Sequence, residues 1–405
     1  MNHYMNGKTI LFYGIPAYGH IYSNLYLTKR LCEKGFRIIY YSLPPFREVI
    51  EGNGCEYRPY PLGHSAFDPT DGEKLLKLYR LLLHYTQEML PELLNQAGKE
   101  APRALIFDSL ALWGRAAGQL LQIPSFAFYS IAAVDWQSGK GLAAYAAGFS
   151  RGFLRYAAEV SPALKLRRQL KTSYGLKKLG LLPVLMNKGD YNLCGFSREF
   201  QPGGRGFGPE YLFLGPLSVH RTVTEKNAFA CPRKPFYYIS LGTIFNRNQQ
   251  LLEAVIEQLG SRPGETTPMV ILIWDRTKDK MPVSFPENFI VRPFVNQNEI
   301  LKHASLFITA GGVNSIHEAL YFQVPCLLCP QQGEQFLNAR QFQRLGFGKI
   351  LQNPKHLRRE AAACMELKTQ WNEQKRKKLT AVTLEQTLTL FHETTADNTL
   401  ERTTS

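Results

Sequence analysis

Two side chains in the first part of the chain have the types that a proton transfer needs. His20 closes the segment Gly14-Ile-Pro-Ala-Tyr-Gly-His, which follows the apolar run Ile10-Leu-Phe-Tyr. A neutral imidazole, with an ordinary pKa of about 6.5, can take a proton from a hydroxyl at neutral pH. Asp108 ends a second apolar run, Ala104-Leu-Ile-Phe. A carboxylate in that setting needs a partner or water. Paired with His20, it would orient the ring and stabilise the imidazolium. Each residue also has a plainer reading. His20 suits a polar loop that opens a helix, and Asp108 suits a helix cap, with Ser109 as an alternative cap.

A third segment, Thr309-Ala-Gly-Gly-Val-Asn-Ser-Ile-His-Glu-Ala-Leu, follows the apolar run Leu306-Phe-Ile. Gly311 and Gly312 allow close backbone approach, Asn314 and Ser315 carry side-chain donors, and a helix that starts there offers unpaired N–H groups. That combination suits a pyrophosphate. Glycine-rich turns before helices are common, so the segment alone is weak evidence. Gly242 and Thr243, in Ser240-Leu-Gly-Thr, end another apolar run, and Thr243 could donate to the same phosphates. There is no paired Cys/His cluster and no Asp-x-Asp motif, and His317 beside Glu318 reads as polar residues at a helix start. A metal-independent site with no resident cofactor is expected. Cys326 and Cys329 form a C-x-x-C within an apolar stretch, where residues three apart on a strand face opposite sides, so they read as core cysteines.

Elements that could position these residues alternate along the chain. Short apolar runs near residues 10, 36, 104 and 125 are separated by helical patterns, and the alternation restarts at Phe236 with runs near 269, 289, 306 and 326. That order predicts an α/β protein of two doubly wound halves, each a parallel sheet covered on both faces. In such sheets, loops at the carboxyl ends of strands bind ligands, and the candidate residues fall at such positions. The predicted boundaries are a first domain over 1–215, a linker over 216–235, a second domain over 236–393 and a disordered tail over 394–405.

With 405 residues, two domains are the natural expectation, and 44% hydrophobic with 20% charged residues is a globular balance. No apolar run reaches the length of a membrane span, and the start lacks the features of a signal peptide, which predicts a cytoplasmic protein. The net charge is +15, concentrated in Arg151–Lys178 and Lys355–Lys378. These clusters read first as solvated helix faces with no nucleic-acid role. A weak contact of the Arg151–Lys178 region with an anionic membrane surface is the sharper alternative.

Taken together, the segments resemble the macrolide-glycosyltransferase-like branch of the UDP-glycosyltransferases, which have the GT-B fold. The resemblance rests on Ile15-Pro-Ala-Tyr-Gly-His, Tyr238-Ile-Ser-Leu-Gly-Thr-Ile-Phe, Val291-Arg-Pro-Phe-Val-Asn-Gln-Asn-Glu-Ile-Leu, the glycine segment at 309, and Pro325-Cys-Leu-Leu-Cys-Pro-Gln-Gln-Gly-Glu-Gln-Phe-Leu-Asn-Ala. It implies two Rossmann-like domains facing across a cleft, acceptor on the first and nucleotide sugar on the second, with the last helix crossing back to the first domain. By the same resemblance, His20 is the catalytic base and Asp108 its support. Phe294 stacks on the nucleobase, Val295 meets uracil through its main chain, and Gln297 lies on the ribose side. Asn314 and Ser315 contact phosphate, Glu318 holds the ribose hydroxyls, and Glu334 with Gln335 reads the sugar hydroxyls. The implied reaction moves a hexose, glucose first among them, from a UDP-sugar co-substrate to a hydroxyl of a small apolar acceptor, with inversion and no metal.

One departure stands out: Ala310 occupies the position where the family usually has a phosphate-contacting histidine. Asn296 and Glu334 replace the usual proline and aspartate. Two alternatives remain: a GT-B enzyme acting on a lipid, which the basic Arg151–Lys178 region keeps open, and a catalytically weakened donor-binding protein, which Ala310 keeps open. The acceptor is illegible. Phe67, Tyr79, Tyr129, Trp136, Tyr145 and Phe149 could line its pocket, although such stripes more often form core.

Overall fold

The computed structural model describes residues 8–62, 75–133, 157–181, 186–220, 231–232, 235–242, 248–264, 267–274, 284–331 and 333–397. The chain divides into two compact units, one of Met1–Thr224 with Ala381–Ser405 and one of Glu225–Thr380.

In the first unit, seven parallel strands form one sheet: β1 (Thr9–Tyr13), β2 (Arg37–Ser42), β3 (Glu56–Pro59), β4 (Ala104–Asp108), β5 (Ser125–Tyr129), β6 (Tyr191–Cys194) and β7 (Tyr211–Phe213). Their spatial order is β3-β2-β1-β4-β5-β6-β7. β1 and β4 are buried along both faces, which is why their sequences are unbroken apolar runs rather than alternating ones. Ile10 lies opposite Ala104 and Tyr13 opposite Phe107, so Gly14 comes level with Asp108. Helices α1 (Tyr18–Glu33), α2 (Arg47–Glu51), α3 (Leu75–Glu100), α4 (Leu112–Leu121) and α5 (Ala157–Tyr174) connect or cover the strands. α1 buries Ile21, Leu25, Leu27 and Leu31 against Ile10 and Phe12. It stops at Gly35, whose φ of +87° is open to glycine and strained for other residues. α3 ends at Glu100, whose carboxylate accepts from Arg37 and Arg58.

The second unit holds β8 (Phe236–Ser240), β9 (Met269–Ile273), β10 (Phe289–Arg292), β11 (Leu306–Thr309), β12 (Cys326–Leu328) and β13 (Gly348–Ile350), in the order β10-β9-β8-β11-β12-β13. All neighbouring strands are parallel. Its helices are α6 (Gln249–Leu259), α7 (Gln297–Leu301), α8 (Val313–Tyr321), α9 (Gly333–Leu345), α10 (Leu357–Leu367) and α11 (Glu373–Thr380). Cys326 and Cys329 are both buried, unbridged, and raised in pKa by burial.

Two expected boundaries move. Leu217–His220 forms a 3-10 turn that packs on α1, with Leu217 in the first core and the His220 ring 4.9 Å from Tyr26, so the first unit continues past residue 215. A final helix, α12 (Glu385–Asp397), belongs to the first unit and extends into the segment expected to be disordered. Leu388 and Phe391 enter the first core, and Phe391 stacks on Phe126 with ring centroids 4.0 Å apart. Thr395 is buried and donates to the Phe391 carbonyl, so the helix holds past residue 393. The threonine-rich composition conceals this, because the anchoring apolar residues lie one and two turns earlier. Residues 398–405 lie outside the described residues. Among the described residues, no helix is long and apolar enough to cross a membrane.

Candidate functional site

In each sheet, strand order reverses at one place, between β1 and β4 in the first unit and between β8 and β11 in the second. Loops diverge there and leave a crevice at the carboxyl ends of the strands. His20 and Asp108 lie at the ends of β1 and β4 at the first reversal, and Gly242 and residues 311–318 follow β8 and β11 at the second, whereas Phe294, Val295 and Gln297 follow β10 and Glu334 and Gln335 follow β12.

In the first unit, the loop from β1 to α1 is held from two sides. A Cβ on Gly14 would stand 2.6 Å from the Tyr40 ring, so only glycine fits. The Gly14 carbonyl accepts from Tyr60 Oη at 2.8 Å, and Tyr60 in turn accepts from Trp113 Nε1 at 3.2 Å. His20 sits in the first turn of α1. Its carbonyl accepts from Ser23 Oγ at 2.6 Å and Asn24 Nδ2 at 2.9 Å, and Tyr40 Oη donates to Asn24 Oδ1 at 3.1 Å. Ser23 and Asn24 are fully buried, which is unusual for helix residues of their type, and they serve here to fix the backbone of His20.

His20 Nδ1 lies 2.8 Å from Asp108 Oδ2, with side-chain exposures of 17% and 0%. Asp108 Oδ1 accepts from the Leu110 amide at 2.9 Å. The helix-cap reading of Asp108 and Ser109 does not hold, because Ala111 is the N-cap of α4 and no side chain caps it; one Asp108 oxygen holds the turn after β4 and the other meets the imidazole. A carboxylate can only accept, so Nδ1 carries the hydrogen and the ring's lone pair lies on Nε2. That is the tautomer a general base needs. Burial pushes the Tyr40 and Tyr60 phenols up, which keeps them neutral near Asp108.

Sequence reasoning missed Ser130. Its Oγ lies 2.8 Å from the same Nδ1. The available signal was a polar residue directly after the apolar strand β5, which pairs with β4. Of the proposed acceptor-pocket aromatics, Tyr79 and Tyr129 are buried, with hydroxyls donating to the Leu179 and Met186 carbonyls. They are core residues. Phe67, Trp136, Tyr145 and Phe149 lie outside the described residues.

In the second unit, Gly242 follows β8 with a φ of +94°, and Thr243 lies outside the described residues. Gly311 follows β11 with a φ of +85°, and Gly312 is the N-cap of α8, with no atom of the described residues, its chain neighbours and its own helix backbone aside, within 4 Å of where its Cβ would be. The space beside the start of α8 is thus open, and Asn314 and Ser315 stand half-buried in its first turn. Gln297 opens α7 and joins three elements. Its Nε2 donates to Glu318 Oε2 at 2.7 Å and Ser315 Oγ at 3.2 Å, while its Oε1 accepts from Tyr238 Oη at 3.2 Å. These bonds fix the amide orientation and give the fully buried Glu318 carboxylate a partner.

Val295 is buried, but the neighbouring Phe294 ring is 54% exposed, a surface that an aromatic ligand could cover. Glu334 and Gln335 open α9. Glu334 Oε1 accepts from Asn338 Nδ2 at 3.1 Å, and Gln335 Oε1 accepts from the Gln331 amide at 2.8 Å. Ala310 is buried and has no polar side-chain atom to contribute. His317 is also buried, with Nδ1 2.8 Å from the Val313 carbonyl, and burial lowers its pKa to about 4. It is a neutral core histidine. Among the described residues, no group of three or more His, Cys, Asp or Glu side chains is gathered as a metal site requires. A cavity of about 790 Å³ beside β13, lined by Lys349, Arg359 and Glu366, contains none of the candidate residues.

Residues 244–388 match the glycosyltransferase family 28 C-terminal domain. The chain is similar to the NDP-glycosyltransferase YjiC of Bacillus licheniformis, with 30% identity over 367 residues that cover 86% of each protein. The chain belongs to the macrolide-type UDP-glycosyltransferases. Bacillus subtilis YojK, described as an uncharacterized UDP-glucosyltransferase, is 29% identical over 349 residues and 84% of each protein. The solved structure of the glycotransferase of kitacinnamycin superposes with a TM-score of 0.79 at 20% identity, covering 96% of this glycosyltransferase and 99% of that chain, and establishes the shared GT-B fold.

Proposed function

We propose that this glycosyltransferase moves a hexose, glucose in the first instance, from UDP to a hydroxyl of a small, largely apolar acceptor, with inversion and without a metal ion. The His20–Asp108 contact at 2.8 Å carries the reading. His20 Nε2 removes the acceptor proton as the acceptor oxygen attacks carbon 1 of the sugar, and the nucleotide diphosphate leaves from the opposite face with the bonding electrons. Asp108 stabilises the imidazolium that forms. The transition state is oxocarbenium-like, and negative charge builds on the departing diphosphate. The N–H groups opening α8, with Asn314, Ser315 and Thr243, would meet that charge.

The remaining roles follow from residue chemistry and the family likeness. Glu318 can accept from both ribose hydroxyls, Phe294 offers a face for the base, Val295 offers main-chain groups to uracil, and Gln297 holds Glu318 in place. Glu334 and Gln335 offer acceptors and donors to sugar hydroxyls. UDP is favoured as the nucleotide because YojK is described as a UDP-glucosyltransferase. Seven unbridged cysteines suit a cytoplasmic setting. Ala310 favours one alternative, a protein that binds the donor and transfers slowly, because a donor to the developing charge is missing there.

The test is turnover with a panel of nucleotide sugars and a generic phenolic acceptor in excess chelator, following released nucleotide diphosphate. The proposal expects UDP release from UDP-glucose that chelator leaves unchanged. Donor binding without release across the panel would instead favour the slow-binder alternative.

A further inference from the structure

We propose that Ser130 is the third member of the base assembly, a positioning residue whose hydroxyl oxygen shares the Nδ1 hydrogen of His20 with Asp108. The inference rests on the reading of His20 as the acceptor base and deepens it. Ser130 Oγ and Asp108 Oδ2 each stand 2.8 Å from His20 Nδ1. That nitrogen carries either one hydrogen or one lone pair. A lone pair on Nδ1 would face the lone pairs of a fully buried carboxylate at hydrogen-bond distance, with no solvent to relieve the repulsion. The hydrogen therefore resides on Nδ1, and Ser130 is left to accept, with its own O–H turned elsewhere. One acceptor alone leaves the imidazole able to swing about the Nδ1–oxygen direction. Two acceptors converging on the same N–H narrow the ring plane and so aim the lone pair on Nε2.

The placement of Ser130 is built into the fold. β1, β4 and β5 are neighbours in the sheet, and their carboxyl ends lead to His20, Asp108 and Ser130 respectively. Ser130 is 4% exposed. The chain is pinned on both sides of it. The Tyr129 carbonyl accepts from the Gly195 amide at 3.0 Å. The Ala133 amide donates to Gln201 Oε1 at 3.0 Å, and the Ala133 carbonyl accepts from Gln201 Nε2 at 2.9 Å.

During transfer, the ring gains a proton at Nε2 and becomes positive. An oxygen accepting from Nδ1–H favours that charged state, so removing it should lower the apparent pKa of His20. The field around the pair supports this use of pH. Asp108 faces the ring from β4, and the phenols of Tyr40 on β2 and Tyr60 beyond β3, which interact with Asp108, are kept neutral by burial.

The experiment compares kcat, donor KM and the acid limb of kcat/KM for wild type, Ser130→Ala, Ser130→Thr, His20→Ala and His20→Ala/Ser130→Ala. Ser130→Ala should lower kcat about 3- to 10-fold, the range of one lost neutral hydrogen bond. It should also move the acid limb to lower pH and leave donor KM within about twofold of wild type. Ser130→Thr, which keeps the oxygen, should recover most of the loss, and Ser130→Ala should add nothing in the His20→Ala background. An unmoved acid limb with unchanged kcat would overturn the proposal, as would a loss confined to donor KM, which would place the hydroxyl on the donor. Full turnover by His20→Ala is a separate failure, since it would remove the base reading itself.

Discussion

Both units carry their candidate residues at the carboxyl ends of parallel strands but hold them in opposite ways. In the first, the working pair is enclosed. Asp108 is fully buried, and His20 is braced through its carbonyl by Ser23 and Asn24 and through Nδ1 by Asp108 and Ser130. In the second, the polar network of Gln297, Ser315 and Glu318 is fixed, but it adjoins an exposed Phe294 ring and an open approach to α8 at Gly312. The difference follows from the tasks proposed for them. A base needs one tautomer in one orientation, which buried acceptors enforce. A nucleotide-sugar site needs surfaces that the ligand itself completes.

That comparison predicts unequal penalties. The largest belongs to Asp108→Asn, which keeps the shape but loses the acceptor-only group that sets the tautomer. Transfer should fall by about 10³-fold or more, with donor affinity unchanged in calorimetry. Comparable losses of affinity and turnover would contradict the division of labour. Glu318→Gln should act in the reverse sense, weakening donor binding by about 10- to 100-fold, the range of a hydrogen bond to a charged group, and leaving the acid limb of the pH profile in place.

A smaller effect is expected from Phe294→Ala. Loss of a stacking face should weaken donor binding by about tenfold, with no measurable change in thermal stability because the ring is already exposed. Unaltered affinity would remove Phe294 from the site. The smallest effect on activity belongs to His317, adjacent to Glu318 in sequence but buried in the core. Its pKa is lowered to about 4 in the fold. Its contribution to stability is therefore complete above about pH 6.5 and is lost as pH falls towards 4. The whole contribution is about 3 kcal/mol, from a downward shift of more than two units. His317→Gln should shrink the fall in Tm between pH 7 and pH 5 without altering transfer at pH 7. An unchanged pH dependence of Tm would show that His317 is not held neutral.

Much of this was legible in the sequence, for identifiable reasons. Unbroken apolar runs such as Ile10–Tyr13 mark strands buried on both faces, and the polar residues that end or follow them, Asp108 closing β4 and His20 in the helix after β1, mark carboxyl ends. The facing of Cys326 and Cys329 follows from the period of a strand. Ser130 was not legible as part of the site, because a lone serine has no motif and its partners are set by the pairing of β4 with β5. The bridge from Gln297 to Ser315 and Glu318 spans 18 and 21 residues and depends on how α7 meets α8, which no local pattern encodes. α12 was cut short because its anchoring residues, Leu388 and Phe391, are followed by threonines that resemble a solvated tail.

The most direct test of the account is a single-turnover measurement on His20→Ala with UDP-glucose and a phenolic acceptor, paired with donor binding on the same preparation. The account predicts donor affinity within about twofold of wild type and a transfer step slowed by about 10²- to 10⁴-fold, the usual share of a general base. Transfer at the wild-type rate would contradict it, because the proton would then leave the acceptor by a route that does not use the residue around which the first unit's site is built.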